Sequence, residues 1–277
     1  MPIKLSIITI NYNNFDGFRK TLESVIFQTF KDYEYIVIDG GSTDGSVEVI
    51  KEYADKITYW VSETDSGIYN AMNKGIIKAK GEYCFFLNSG DSLLNNNIIS
   101  EVFSQAFQED ILYGNMQNSR NGNFITVAEP APIITMRTLF EDTIHHQAAF
   151  IKRSLFERFG GYNEDYSIRA DWEFWIRAII THNCSTRYIN LVISDYDADG
   201  ISALPSSQGK KDKETAKILK TILPEKIIED YVEMIELNKK YTLVLDEVNR
   251  YKHRFAGLDK FYTILKKSLK SLRLIRI

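Results

Sequence analysis

The chain is poor in cysteine, carries no excess of positive charge and contains no long apolar run. Two cysteines in 277 residues, Cys84 in an apolar stretch and Cys184 in a polar one, supply neither a disulfide framework nor a metal spacing. A reducing compartment is the expected setting. Lys and Arg number 34 against 37 Asp and Glu, a formal net charge of -3. That excludes a general nucleic-acid binder, which needs a basic footprint over the whole domain. No apolar segment reaches spanning length, and Met1-Pro2-Ile3-Lys4 runs straight into a strand without a signal-peptide layout. The expected location is cytoplasmic, with any membrane contact peripheral and on the inner face. Hydrophobic content of 44% and charged content of 26% exclude disordered and collagen-like classes. At this length a full core forms, as one large domain or one domain plus an appendage, and the second is favoured. Aromatic content of 13% reads as core packing, although sugar rings and bases also stack on such side chains.

What is present is an alternation of strands and helices. Leu5-Ser6-Ile7-Ile8-Thr9-Ile10 has the apolar, β-branched character of a central parallel strand. A helix follows over 16–28, with Phe18, Leu22, Val25 and Ile26 on one face. Strands are predicted at 35–39, 58–61, 83–87 and 111–113, and helices at 46–53, 68–79 and 98–107. The Asn- and Gly-rich stretch 114–129 predicts a hairpin. An apolar segment spans 144–151, a helix begins near Ser154, Gly160-Gly161 breaks it, and another helix covers 170–181. Residues 205–212 read as a polar linker, and 213 onward as helical with a break near Pro224. The pattern implies βαβ units and a mainly parallel, mixed sheet flanked by helices. The expected division is a catalytic domain over 1–204 and a helical C-terminal extension over 205–277.

In such sheets ligands bind beyond the carboxyl ends of the strands. Those ends carry Asn11, Asp39, Asp65 and Asp91, which are expected to converge. The Gly40 to Gly45 loop lacks the G-x-G-x-x-G spacing of a dinucleotide-binding dehydrogenase and the lysine of a phosphate-cradling P-loop. What remains is Asp39, an acceptor for ring NH and ribose hydroxyl groups, with Asp44 able to cap a helix. Asp91 closes Leu87-Asn88-Ser89-Gly90-Asp91. One carboxylate together with ligand diphosphate oxygens suits Mg²⁺ or Mn²⁺, while an Asx turn explains the same residue without a metal.

Three ordered stretches, Ile36-Val37-Ile38-Asp39-Gly40-Gly41-Ser42-Thr43-Asp44-Gly45-Ser46, Asp65-Ser66-Gly67-Ile68-Tyr69-Asn70-Ala71-Met72-Asn73-Lys74-Gly75 and Phe86-Leu87-Asn88-Ser89-Gly90-Asp91, resemble the successive signatures of family 2 glycosyltransferases. The likeness continues through His146-Gln147 and Gly160-Gly161-Tyr162 to Ala170-Asp171-Trp172-Glu173-Phe174-Trp175-Ile176-Arg177, covering about residues 3–203. The resemblance implies a GT-A fold, a nucleotide-sugar donor with UDP favoured, a divalent Mg or Mn ion, and inverting transfer to a saccharide or lipid-linked acceptor in surface polysaccharide synthesis. It assigns the catalytic base to Asp171 and the metal to Asp91. Donor binding falls to Thr9, Asn11, Asp39, Asp65, Asn70, Asn73 and Asn88, and the acceptor side to His146, Gln147 and Trp172. Inversion needs a base across the sugar from the leaving diphosphate, and Asp171, from a later segment, can approach from that side.

Two departures stand out. Family members often carry Asp-Asp where this chain has Asp39-Gly40, and Asp-x-Asp-Asp where it has Asn88-Ser89-Gly90-Asp91. The reduced acidity makes a nucleotide-sugar or carbohydrate-binding protein without turnover the alternative reading; a nucleotidyltransferase would need a glycine-rich basic loop that is missing near the N-terminus. His145 and His146 would point to opposite faces of a strand, so no zinc pair is read there. Trp172 and Trp175 are candidates for an acceptor-stacking wall, with core packing the competing role. In the tail, Phe255, Leu258, Phe261, Tyr262, Leu265, Leu269, Leu272 and Ile275 recur at helical spacing among Lys and Arg. That stretch, 252–277, is expected to make peripheral membrane contact or to self-associate.

Overall fold

The structure is a computed structural model that describes residues 3–198, 207–252 and 258–271. Two compact units divide the chain, Met1–Thr215 and Ala216–Ile277. The expected boundary at 204/205 falls outside the described residues.

The first unit is built on a mixed sheet with nine strands among the described residues. β1 (Leu5–Asn11), β2 (Tyr33–Asp39), β3 (Tyr59–Ser62) and β4 (Tyr83–Phe86) run parallel in the order β3-β2-β1-β4. All of β1 and β4 is buried, because helices cover these strands, and so they read as unbroken apolar runs. α1 (Phe15–Ile26), α2 (Ser46–Glu52) and α3 (Ile68–Lys78) make the crossovers. Asn14 caps α1 by accepting from Gly17 N, and Phe18, Leu22 and Val25 carry its buried face into a core with Leu5 and Ile7. Asp44 does cap helices: it accepts from Phe15 N at 2.8 Å and from Ser46 N at 3.1 Å.

Beyond β4 the sheet continues through β5 (Ser92–Leu93), β6 (Ile111–Arg120), β7 (Asn123–Ala128), β8 (Ala149–Lys152) and β9 (Thr186–Asp197), in the order β4-β8-β6-β9-β5. β8 is antiparallel to β4 and β6, while β9 is parallel to β6. Phe85 and Phe150 face each other across β4 and β8 with stacked rings 4.8 Å apart, one of the aromatic pairs that close this core. The expected hairpin is β6-β7, turned by Asn121-Gly122 with φ of 50° and 73°. Both values are left-handed, as a two-residue turn matched to strand twist requires.

Several elements differ from the sequence reading. α4 (Ile98–Val102) ends well short of residue 107, the chain turning at Phe103 so that Phe107 is buried ahead of β6. His146–Ala148 form a 3-10 turn, and β8 starts only at Ala149, so the histidines are not on a strand. The twelve-residue β9 was not anticipated: its pattern is half-exposed and interrupted by Asn190, Ser194 and Asp195, so it lacks the continuous apolar signal of a buried parallel strand. After α5 (Met136–Glu141) and α6 (Arg153–Phe159), α7 (Ala170–Trp175) runs on as a π-helical turn, Ile176–Thr181, rather than as one α-helix. Residues 208–212 are helical rather than linker, because α8 (Gln208–Ile222) begins at Gln208. α9 (Glu225–Lys252) starts after Pro224, whose carbonyl accepts from Ile227 N and Ile228 N. In the second unit α10 (Leu258–Ser271) packs against α9, and Leu269 is buried.

α3 lies on β1 at close range because Gly75 has no side chain. A Cβ there would sit 2.4 Å from Ile8 Cγ2, and β-branched Ile8 cannot swing away cheaply. Helix propensity alone predicts that Gly75→Ala stabilises by about 1 kcal/mol. We expect the reverse, a loss of about 1–3 kcal/mol from overpacking, read as a lower urea midpoint.

Candidate active site

The parallel strands end at two polar clusters. In the first, Asp39 at the end of β2 lies in register with Asn11 at the end of β1. Its Oδ1 accepts from Asn11 Nδ2 at 2.8 Å and Ser42 Oγ at 2.6 Å. Its Oδ2 accepts from Ser42 N at 2.8 Å, Gly41 N at 3.2 Å and Ser62 Oγ at 2.6 Å. Burial would raise the Asp39 pKa, but the bonds from Ser42, Ser62 and Asn11 outweigh it and hold the carboxyl below its ordinary value. Five donors use up its lone pairs, so Asp39 braces the ends of β1, β2 and β3. The free acceptor here is Asn11 Oδ1, buried with no hydrogen-bond partner.

Asp65 joins this cluster. Its Oδ1 accepts from Gly67 N at 2.9 Å, and its Oδ2 would be 2.6 Å from a Cβ on Gly40. The space an aspartate at position 40 would occupy is thus taken by a carboxylate from another loop. Tyr12, 66% exposed, reaches the same spot with Cδ2 at 3.1 Å and leaves a ring face open to solvent. The sequence reading passed over it as part of a polar turn.

The second cluster forms at the Asn88–Asp91 turn. Asp91 N donates to Asn88 O at 3.0 Å, and Gly90 has φ +105°, a conformation an L-residue rarely adopts. Asp91 is 4% exposed, and its Oδ1 accepts from Asp197 N of β9 at 3.0 Å. Burial pushes its pKa up to about 7; the Asp197 amide, His146, Gln147 and Lys20 offset burial only in part. Asn88 Nδ2 lies 3.2 Å from His146 Nε2, and His146 Nδ1 lies 3.0 Å from Asp171 Oδ2. With Asn88 as donor, Nε2 is the acceptor and Nδ1–H faces Asp171, a tautomer assigned from the network.

Asp171, on the first turn of α7, also accepts at Oδ1 from Tyr69 OH at 3.1 Å and from Trp172 N at 2.8 Å. Burial would raise its pKa, but His146, the Trp172 amide and Tyr69 together lower it. An ionised carboxylate with 16% of its side chain exposed results. The same charge, after burial itself, drives the Tyr69 pKa well above its ordinary value, keeping the phenol a donor. The loop 11–14 links the clusters: Asn13 N donates to Ser42 Oγ at 2.8 Å, and Asn14 Nδ2 donates to Ser89 O at 3.1 Å.

Other residues named from the sequence are placed differently. Thr9 is fully buried, its hydroxyl bonded by Tyr35 OH at 3.1 Å, which puts it in the core rather than at the strand end. Asn70 and Asn73 both donate to Glu164, and Asn73 also bonds both backbone groups of Tyr162; they tie α3 to the 162–164 loop. Gln147 is buried and helps to lower the Asp91 pKa against burial. Trp172 and Trp175 are both buried, with indole N–H groups donating to Leu139 O and Ile144 O, so neither forms an open stacking wall. Arg177 holds Glu173 through two bonds of 3.0 Å and also donates to Phe159 and Gly161 carbonyls, bracing α7. For His145 burial is the main influence and lowers its pKa, with Asp142 opposing it. No group of three or more His, Cys, Asp or Glu with metal-holding geometry occurs among the described residues.

The sequence reading missed Tyr69, Glu164 and Glu214. Tyr69 sits inside the second family stretch, so that signal was present. Glu214 on α8 had none: its carboxylate accepts from Ser167 N, Ser167 Oγ, Ile168 N and Arg169 N at 2.8–3.0 Å. Burial is outweighed by these bonds and its pKa falls. Glu214 thereby fixes the loop that enters α7 just before Asp171.

A family model described as Glycosyl transferase family 2 matches residues 6–159. An uncharacterized glycosyltransferase of Mycobacterium tuberculosis (strain CDC 1551 / Oshkosh) is 34% identical over 204 residues, 72% of this chain and 77% of that one. A PGL/p-HBAD biosynthesis glycosyltransferase of Mycobacterium bovis (strain BCG / Pasteur 1173P2) is 33% identical over 65% of this chain and 71% of its own. Among solved structures, S. aureus TarS 1–349 in complex with UDP is similar with a TM-score of 0.59 at 22% identity, covering 70% of this chain and 60% of that chain. This chain spans 36% of the longer TarS chain. The mannosyltransferase PcManGT from Pyrobaculum calidifontis, in complex with GDP-Man and Mn²⁺, gives 0.60 at 14% identity over 99% of this chain and 81% of that one. These likenesses carry the fold, a GT-A sheet flanked by helices. With motifs in family order, strand ends that converge on two polar clusters, and a family match across more than half of its length, the chain belongs to glycosyltransferase family 2.

Proposed function

We propose that the protein is an inverting glycosyltransferase that moves a sugar from a nucleotide-diphosphate donor to a hydroxyl of a saccharide or lipid-linked acceptor, with Asp171 as the base. The observation that carries this reading is the Asp171 carboxylate, held ionised and oriented by His146, Tyr69 and the Trp172 amide. One lone pair of Oδ2 stays available for the acceptor's proton. As the acceptor oxygen forms its bond to the anomeric carbon, that proton passes to Asp171, and the bond to the diphosphate breaks on the opposite face. A UDP-sugar is the favoured donor, supported by the TarS complexes with UDP and UDP-GlcNAc. Asn11 Oδ1 supplies an acceptor for a base N–H and Tyr12 a stacking face. The M. bovis relative is a PGL/p-HBAD biosynthesis glycosyltransferase, and surface polysaccharide synthesis is the setting proposed for this chain.

The residues at the turn fit a hard divalent cation, Mg²⁺ or Mn²⁺. Asp91 is a buried carboxylate without a full counter-charge, and Asn88 Oδ1 is a buried oxygen with no partner. One carboxylate suffices where donor phosphates complete the shell. Such an ion would offset charge developing on the diphosphate.

No helix among the described residues is long and apolar enough to cross a membrane. The basic stretch 252–277 is proposed as a peripheral contact, and burial of Leu269 shows that part of its apolar stripe is used in packing.

Three outcomes follow. Asp171→Asn should slow transfer by about 10²–10⁴-fold while a UDP-sugar still raises the melting temperature; near-normal turnover would overturn the assignment. For Asp91, the metal-free folded pKa of about 7 lies above the ordinary 3.8, so its stabilising contribution is complete below about pH 4 and is lost as pH rises through about 7. The melting temperature of the wild type should therefore fall relative to Asp91→Asn across that window, by up to roughly 4 kcal/mol in stability. Mn²⁺ with UDP should restore it in the wild type alone, and parallel pH curves would refute this. Truncation after residue 250 should reduce co-sedimentation with anionic vesicles without altering donor binding; unchanged sedimentation would exclude the membrane contact.

A further inference from the structure

Arg169 and Trp172 flank Asp171 in the chain, and both line a cavity of about 210 Å³ whose wall also includes Asp142, Thr143 and Thr215. Thr215 lies one turn beyond Lys211 on α8, so the two share a helix face. Glu214, between them, clamps the 167–169 backbone and so sets where Arg169 and α8 meet. All of these residues belong to the first unit. Lys211 senses both neighbours: burial and Arg169 lower its pKa, while Asp171 raises it.

Glu214 and Thr215 thus bring the Lys211 face of α8 to the Arg169 side of the cavity. Arg169 lies over the Trp172 ring, 5.7 Å from its centroid, and its Nε is buried without a hydrogen-bond partner. Among the described residues neither Arg169 nor Lys211 has an ion pair within 4.0 Å. Glu141 and Asp142 also line this cavity, and each nearby carboxylate has a hydrogen bond of its own. Asp171 is held by His146, Tyr69 and the Trp172 amide, Glu141 bonds Arg137, and Asp142 Oδ1 accepts from Thr143 N. Two adjacent like charges repel unless an anion lies between them, and a guanidinium fork with an ammonium matches a phosphate.

We propose that Arg169 and Lys211 form a subsite for a phosphate or pyrophosphate group carried by the acceptor. The inference rests on the reading of Asp171 as the acceptor-side base. An anion seated there would bring the rest of the acceptor against that carboxylate.

The test is isothermal titration of the full chain, pre-saturated with UDP and Mn²⁺ so that the donor diphosphate position is filled. The probes are inorganic pyrophosphate, farnesyl diphosphate and farnesol. Both anions should bind and farnesol should not, and Arg169→Gln and Lys211→Gln should each weaken the anions by about tenfold, with Lys211→Arg restoring affinity. Tighter binding of farnesyl diphosphate than of pyrophosphate assigns the phosphate to a lipid carrier, and equal binding to the phosphate alone. The proposal is overturned if UDP binds but neither anion does, if Lys211→Gln still melts cooperatively and binds both anions as the wild type does, or if farnesol competes. Anion binding that persists when UDP does not bind would sink the donor reading and leave this subsite standing.

Discussion

Carboxylates withdrawn from water at one end of the sheet must recover their lost hydration from the protein, and how each does so decides what it can do. Asp39 recovers it fully, from five neutral donors, and becomes a strut that joins three strand ends. Asp171 recovers it from an imidazole, a phenol and an amide, which leaves it charged, oriented and open on one side. Asp91 does not recover it, and its pKa rises to about 7. That deficit is what a cation beside the donor diphosphate would correct.

The two places where the chain departs from the acidic family pattern are explained by backbone and by neighbours. At Gly40 the missing side chain leaves room for Asp65, whose carboxylate lies 2.6 Å from where a Cβ would be. At Gly90 the left-handed φ of +105° is one that aspartate adopts only with strain. This sharp turn aims Asp91 under β9 and beside Gln147. In the first case the space is held by Asp65, itself part of the second family stretch, and at Gly90 a left-handed turn stands where a carboxylate would.

The late part of the first unit completes the site. β9 brings the Asp197 amide onto Asp91, and α8 brings Glu214 onto the loop ahead of Asp171. Neither contact is local: 106 residues separate Asp91 from Asp197. They fix the surroundings of Asp91 and of Asp171, the two carboxylates on which the proposed transfer rests.

Much of the fold was legible in the sequence because its signals are local. Buried parallel strands declare themselves as apolar β-branched runs, α1 as Phe18, Leu22 and Val25 at helical spacing, and the hairpin as Asn121-Gly122. The order of Asp39, Asp65, Asp91 and Asp171 was equally visible. β9, the 3-10 turn at His146–Ala148 and the start of α8 were not, since each takes its form from partners distant in sequence. The sequence by itself determined which elements form and which residue types stand at the strand ends. Only the tertiary structure decided that Thr9, Trp172 and Trp175 belong to the core, that Asp39 takes five hydrogen bonds from around the ends of β1, β2 and β3, and that Asp171 is held by His146 and Tyr69. Burial and hydrogen-bond partnership depend on what other segments bring to a residue, and no local pattern encodes that.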